Sequence, residues 1–152
     1  MKLREKKHFP HGTTALWHIL SQPALMPSWN PRCQSSGATR PAVLGDVFEA
    51  TFRIKNRPLA PARVEVIEIL VEERITYRYS GEMFGSLGGY ADETYHLLYR
   101  GPQQSTVRLE IDLGNIPIPG IARFLIVALH RLGKKRDSSP LDGLADLLKQ
   151  PG

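Results

Sequence analysis

"ALWHILSQPALMPSWNPRC", residues 15–33, sets the frame for reading the rest of the chain. Leu16, Trp17, Ile19 and Leu20 cover one broad face of an amphipathic helix, and Thr13 or Thr14 stands where a side chain would cap it. Pro23 stops that helix, because the residue before a proline is pushed out of the helical region. "ALM" makes a second turn that ends at Pro27, and the chain then runs into a strand. The stretch predicts two short, bent helices carrying both tryptophans, Trp17 and Trp29.

Upstream, residues 2–9 alternate, with Leu3, Glu5, Lys7 and Phe9 on one side and Lys2, Arg4, Lys6 and His8 on the other. That reads as a charged edge strand, since charge along an edge discourages pairing with other chains. Pro10 and Gly12 then turn the chain. Downstream of Gly45 the period becomes two. "GDVFEATFRI" places Phe48, Ala50, Phe52 and Ile54 on one face, and "KNRPLAP" is turn chemistry. "ARVEVIEILVEE" (62–73), "RITYRYSG" (74–81), "YADETYHLLYRG" (90–101) and "TVRLEIDLG" (106–114) follow as strands. Their separation into a dry and a wet face marks an antiparallel sheet covered on one side. The cover is expected from "PIPGIARFLIVALHRLGKKR", with an apolar stripe at 121, 125, 128, 129 and 132, and from "SPLDGLADLLKQ" (139–150). In the latter, Ser139 is the N-cap, Pro140 the first helical residue, and Leu141, Leu144, Leu147 and Leu148 the buried set.

The 152 residues are read as one domain, 1–152, with an ordinary apolar fraction of 41% and charged fraction of 23%. The longest apolar run, "FLIVAL", is far short of the roughly 18 residues that mark a spanning helix. No apolar stretch backs the charged start, so it does not read as a secretory signal. One cysteine, Cys33, excludes an internal disulfide framework and a multi-cysteine metal site, and a cytoplasmic setting is expected. The net charge of +5 comes from basic clusters at 2–7 and 134–136 without interleaved aromatics, so no nucleic-acid partner is expected.

The order of strand, broken helix pair, antiparallel sheet and long C-terminal helix resembles the α+β helix-grip fold. In that fold a curved sheet wraps on the long helix. The chain is similar, over roughly residues 3–150, to the START-like, polyketide cyclase/dehydrase and birch-pollen-allergen (SRPBCC) superfamily. "ALWHIL" resembles the first-helix pattern, and Trp29 falls where a tryptophan often ends the second helix. "LGD" (44–46) resembles the opening of the third strand, and "VIEILVEERITYRY" a common strand pair. Thr106 falls at the family's "G-T" hairpin exit, although Ser105 here replaces the glycine. The resemblance implies helices that prop one end of the grip open, leaving a cavity between sheet and helix.

Catalytic signatures are few. There is no Gly-x-Ser-x-Gly elbow and no Walker loop, and "GSLGG" precedes a strand, so it cannot offer a helix N-terminus to a pyrophosphate. His8 and His11 lack a third ligand, so no metal and no cofactor is expected. Cys33 reads as a small buried hydrophobe.

The informative residues are Tyr77, Tyr79, Tyr95 and Tyr99 on the expected concave face, with Phe48, Phe52, Trp29, Leu125 and Leu129 completing the ligand-binding set. Buried phenols need hydrogen-bond partners, and a cavity supplies them as ligand or water. Glu68 is the candidate catalytic residue if its parity with Val64 and Val66 points it inward; a bulge or the reverse register would put it in solvent. Glu93 shares the parity of Tyr95 but lies near a strand start. The function expected is binding of a hydrophobic or aromatic small molecule or a lipid, with a homodimer left open. A polyketide cyclase/aromatase-type enzyme and a co-chaperone-like interaction module are the alternatives.

Overall fold

A computed structural model describes residues 2–53, 58–82, 88–117 and 139–149. Seven strands form one antiparallel sheet: β1 (Lys2–Phe9), β2 (Cys33–Ser36), β3 (Val47–Phe52), β4 (Ala60–Leu70), β5 (Arg74–Ser80), β6 (Tyr90–Gly101) and β7 (Gln104–Asp112). Their spatial order is β1-β7-β6-β5-β4-β3-β2. From β3 to β7 each strand pairs with its sequence neighbour. β1 closes one edge on β7, and β2 closes the other on β3.

The segment between β1 and β2 must therefore cross the whole width of the sheet. It does so as α1 (Thr13–Leu20), a 3₁₀ turn (Pro23–Leu25) and α2 (Met26–Trp29). Pro23 ends α1 as its chemistry requires. Pro27, expected to end the second piece, instead lies in the first turn of α2, where a missing N–H costs nothing. The cap of α1 also differs from expectation, since Gly12 stands at N-cap and no side chain caps the helix. Thr14 gives its hydroxyl to the Glu72 carboxylate, in the β4–β5 turn. Glycine is needed at position 12, because a Cβ there would lie 2.4 Å from the Pro102 carbonyl oxygen of the β6–β7 turn.

The core lies on the concave side, beneath these helices. Leu16, Leu20, Met26 and Trp29 meet Val64, Val66, Ile75, Tyr77, Tyr95 and Leu109, all fully or almost fully buried. Strand parity is interrupted at three irregular pairings: between Cys33 and Ser35, Val66 and Glu68, and Tyr99 and Gly101. Such bulges bend a strand and increase its twist, which suits a sheet that must curl.

The last described element, α3 (Pro140–Lys149), starts as its sequence predicts, with the Ser139 hydroxyl accepting the Asp142 N–H at 3.2 Å. Leu141 and Leu144 are completely buried, while Leu147 and Leu148 are partly buried against the core. The helix docks on the inner side of β1. The Ser139 hydroxyl donates to Glu5 at 2.6 Å, and Lys7 pairs with Asp142 at 3.0 Å. Gly143 brings it directly onto α2, so close that a Cβ would stand 1.8 Å from the Trp29 carbonyl oxygen. The helix expected over "PIPGIARFLIVALHRLGKKR", and with it Leu125 and Leu129, lies outside the described residues. On the outer side of β1, Lys2 and Arg4 reach Glu110 at 3.6 and 3.0 Å, which neutralises part of the basic cluster.

Candidate functional site

The register of the sheet builds the concave face row by row. One row crosses from Leu3 through Ile111 and Glu93 to Tyr77 and Val66. The next runs from Glu5 through Leu109 and Tyr95 to Ile75 and Ile69. A third joins Ala91, Tyr79, Val64 and Phe48. Trp29 closes over the rows from α2, its ring standing edge-on to Tyr95 at 5.5 Å and 89°. Phe52 meets Tyr79 the same way at 5.4 Å and 90°. Such edge-to-face pairs place the positive ring edge of one partner on the negative face of the other.

Three of the four tyrosines are therefore brought together. Tyr77, Tyr79 and Tyr95 share the concave face with Trp29 and Phe52, and all five are buried. Phe48 is partly buried against the same cluster. Tyr99 departs from the expectation: it is 67% exposed, at the hairpin end of β6 beside the irregular pairing of Tyr99 and Gly101.

The phenol hydroxyls are also used differently from the sequence expectation. Tyr77 donates to the Leu20 carbonyl at 2.6 Å, and Tyr79 points at the Met26 sulfur at 3.8 Å. Both hydroxyls thus tie the sheet to the two helices above it. Nothing in the sequence signals this, because one acceptor is a backbone carbonyl and the other a thioether. Burial raises the pKa of both phenols, so they stay neutral.

Tyr95 alone turns its hydroxyl toward a titratable side chain, donating to Glu93. Glu93 is only partly buried as a residue, although its carboxyl is surrounded by protein. Burial raises its pKa above the ordinary carboxyl value, and the Tyr95 hydrogen bond and the Arg32 charge counter this only in part. Its row neighbours Leu3 and Ile111 are partly open too. The concave face thus has a tightly packed aromatic floor and a looser row where a carboxyl stands among apolar side chains.

Glu68 is not part of this face. The bulge between Val66 and Glu68 inverts its parity, so it pairs with Thr76 and meets Arg74 at 2.8 Å, with a side chain 42% exposed. That geometry does not meet the inward parity on which its candidate catalytic role depended, and Glu5 and Glu93 are the acidic residues on the concave rows.

Cys33 is buried, with its thiol 3.4 Å from the Ser35 carbonyl. Burial pushes the thiol pKa up to about 11, which removes the thiolate a nucleophile needs. His8 sits with Nδ1 2.6 Å from the Thr106 hydroxyl, while His11 uses its carbonyl to accept from Ser105 at 2.7 Å. Among the described residues no group of His, Cys, Asp and Glu is arranged to hold a metal ion, and no helix is long and apolar enough to cross a membrane.

This architecture is the α+β helix-grip fold of START-like and birch-pollen-allergen-like proteins, and solved structures match it over nearly their full length. A START superfamily protein from Mycobacterium smegmatis is 16% identical with a TM-score of 0.66, covering 97% of this chain and 99% of that one. Ara h 8.0201 is 15% identical with a TM-score of 0.66, covering 99% of each chain. Norcoclaurine synthase from Thalictrum flavum, in complex with dopamine and hydroxybenzaldehyde, is 14% identical with a TM-score of 0.65, covering 100% of this chain and 89% of that one. At such identities the likeness defines the fold and leaves the chemistry to the residues of this chain. No protein-family model matches the sequence, and no curated protein matches it.

Proposed function

We propose that this chain binds a hydrophobic or aromatic small molecule, or a lipid, between the concave face of its sheet and its C-terminal helical segment, in the cytoplasm. The observation that carries the reading is the looser row Leu3–Ile111–Glu93. It is the place where the concave face combines accessible apolar surface with a polar group, the usual composition of a small-molecule site. The packed aromatic floor keeps that row in place. A START superfamily protein and a synthase in complex with two aromatic compounds share the fold, which supports the same use of it here.

The test is native mass spectrometry of the purified protein together with a hydrophobic-dye titration. Binding predicts a co-purifying small molecule, or dye uptake that Ile111→Trp abolishes by filling the row while melting stays cooperative. Dye uptake unaffected by Ile111→Trp, with no co-purifying molecule, would remove the proposal.

One observation favours a second reading, an enzyme of the polyketide cyclase/aromatase type. Glu93 with Tyr95 is a carboxyl–phenol pair on the ligand-facing side, able to hold or pass a proton. In that case Glu93→Gln would abolish turnover of a polyketone substrate while leaving its affinity nearly unchanged.

A further inference from the structure

The outer face of the sheet, turned away from the core, carries a row of basic residues. Lys6 on β1 stands opposite Arg108 on β7, Arg108 opposite His96 on β6, and His96 opposite Arg74 on β5. With neighbouring strands about 4.8 Å apart, the four positions span about 14 Å. Their neighbours in sequence fix the side, since Val107, Leu109, Tyr95 and Ile75 are buried in the core. The adjoining row adds two more. His8 lies with Nδ1 2.6 Å from the Thr106 hydroxyl, and Arg100 donates to that same oxygen at 3.3 Å. Thr106 is completely buried, whereas Lys6, His8, Arg100 and Arg108 are exposed.

The carboxylates of this face are engaged elsewhere. Glu110 is held by Lys2 and Arg4, Glu68 by Arg74 and Asp92 by Arg78, at 2.8 to 3.6 Å, while Asp112 accepts from the Gly114 N–H. Among the described residues, Lys6, Arg100 and Arg108 meet no carboxylate. Burial and the charges of Arg108 and Arg74 lower the pKa of His96, against the opposing pull of Glu110 and Glu68. Like charges directly opposite each other destabilise a ladder, so the row works against the sheet that bears it. It ends on apolar surface. Leu70 of β4 pairs with Arg74 and is 43% exposed, and Val71, next in the β4–β5 turn, is 69% exposed. In the same turn Glu72 accepts from Thr14 on α1, and Glu73 is the exposed acid.

We propose that this outer face docks on an anionic membrane surface, with Lys6, Arg100 and Arg108 on the headgroups and Leu70 and Val71 entering the boundary beneath them. A bilayer sets a plane of negative charge directly above an apolar layer, the pairing that the row and its end match. The outer side of a curled sheet is a surface without a groove for an extended chain. No Phe, Tyr or Trp stands in either basic row, so bases of a single-stranded nucleic acid have nothing there to stack on. Each Lys or Arg near an anionic surface multiplies partitioning by a factor of about five. The docking face is separate from the concave side, so its failure leaves the ligand-binding reading untouched.

The experiment is co-sedimentation of the full chain with phosphatidylcholine vesicles, pure or carrying about 30% phosphatidylserine, at about 0.15 M salt. The parent should partition at least about tenfold more strongly onto the anionic vesicles. Arg108→Gln should lose about fivefold of that partitioning, and Lys6→Gln with Arg108→Gln about twentyfold. The double variant should melt no lower than the parent, because it relieves a like-charge pair. Lys149→Gln removes one charge from exposed surface on α3, which docks on the inner side, and should stay within about twofold of the parent. A solvatochromic dye on Val71→Cys should shift to the blue on anionic vesicles. Cys33 is buried with its thiol pKa raised to about 11, so labelling goes to position 71. Equal partitioning onto both vesicles overturns the proposal, as does a double variant that partitions like the parent. So does a loss in Lys149→Gln as large as that in Arg108→Gln, or a dye that stays in water. Capture by polyglutamate or by a single-stranded oligonucleotide, with none by anionic vesicles, would mark an acidic protein or a nucleic acid as the partner and also overturn it.

Discussion

Replacing Gly143 with alanine tests the seating of α3, and the structure gives it the opposite sign from helix propensity. In an open helix, glycine to alanine stabilises by about 0.5–1 kcal/mol through backbone entropy. Here the new Cβ would stand 1.8 Å from the Trp29 carbonyl oxygen and 2.8 Å from its carbon, and both are backbone atoms that cannot swing aside. Restoring ordinary contact requires α3 to withdraw by roughly an ångström and a half, and a gap of about 1 Å already forfeits a quarter to a half of each contact's attraction. Leu141 and Leu144, completely buried at present, would lose part of their packing. Overpacking of this kind costs typically about 1–3 kcal/mol, so after the propensity gain a net loss of about 1–2 kcal/mol is expected. For a chain of this size that is a drop in Tm of roughly 2–8 °C. Scanning calorimetry and urea unfolding of Gly143→Ala beside the parent make the measurement. A rise in Tm would refute the seating of α3 on Trp29.

Truncating Trp29 to alanine should cost about 3–5 kcal/mol in urea unfolding, since it empties a buried site shared by α2, α3 and Tyr95; an unchanged midpoint would place the indole on the surface. Tyr77→Phe should destabilise by about 1–3 kcal/mol because it leaves the buried Leu20 carbonyl unpaired, whereas Tyr99→Phe and Tyr99→Ala should stay within about 0.5 kcal/mol. Equal effects at positions 77 and 99 would contradict the geometry. The ligand-free protein should lose stability as pH rises above about 4.3, the unfolded carboxyl value, because folded Glu93 keeps its proton to higher pH than the unfolded chain does. The loss should be complete above the folded pKa and absent in Glu93→Gln, so urea midpoints of the two proteins that run parallel across pH would count against a buried, proton-holding Glu93. Finally, Lys2, Arg4 and Lys7 are engaged with Glu110 and Asp142, so filter binding at physiological salt should find no tight, salt-sensitive association with single-stranded oligonucleotides.

How much of this was legible beforehand depends on whether strand parity ran unbroken. In residues 74–80 and 106–112 apolar and polar side chains alternate without interruption, so the side facing the core follows from counting by twos. The Ser139–Pro140 start of α3 was equally plain, because a cap is a local event. Parity fails across a bulge, and the extra residue between Val66 and Glu68 belongs to the pairing of two strands and not to either sequence alone. Counting could therefore leave Glu68 only as a conditional candidate, and the bulge decides for the solvent alternative. Glu93 was in view through its spacing from Tyr95, but its open row depends on Leu3 and Ile111, which come from strands distant in the chain. The use of Tyr77 and Tyr79 as struts was out of reach, since their partners Leu20 and Met26 lie more than 50 residues away.

The position of β1 also shapes how this protein comes into being on the ribosome. Its partner β7 is made about a hundred residues later, with Lys2 facing Asp112 across the ladder, and its contacts with α3 span 134 and 135 residues. At roughly 5–20 residues per second, β1 waits on the order of ten seconds for its partner β7. An apolar strand waiting that long would be a template for aggregation. The alternating lysines and arginine of "KLREKK" make the waiting segment soluble, and the same residues later hold Glu110 and Asp142. The charge of this edge protects the nascent chain before it serves the folded one.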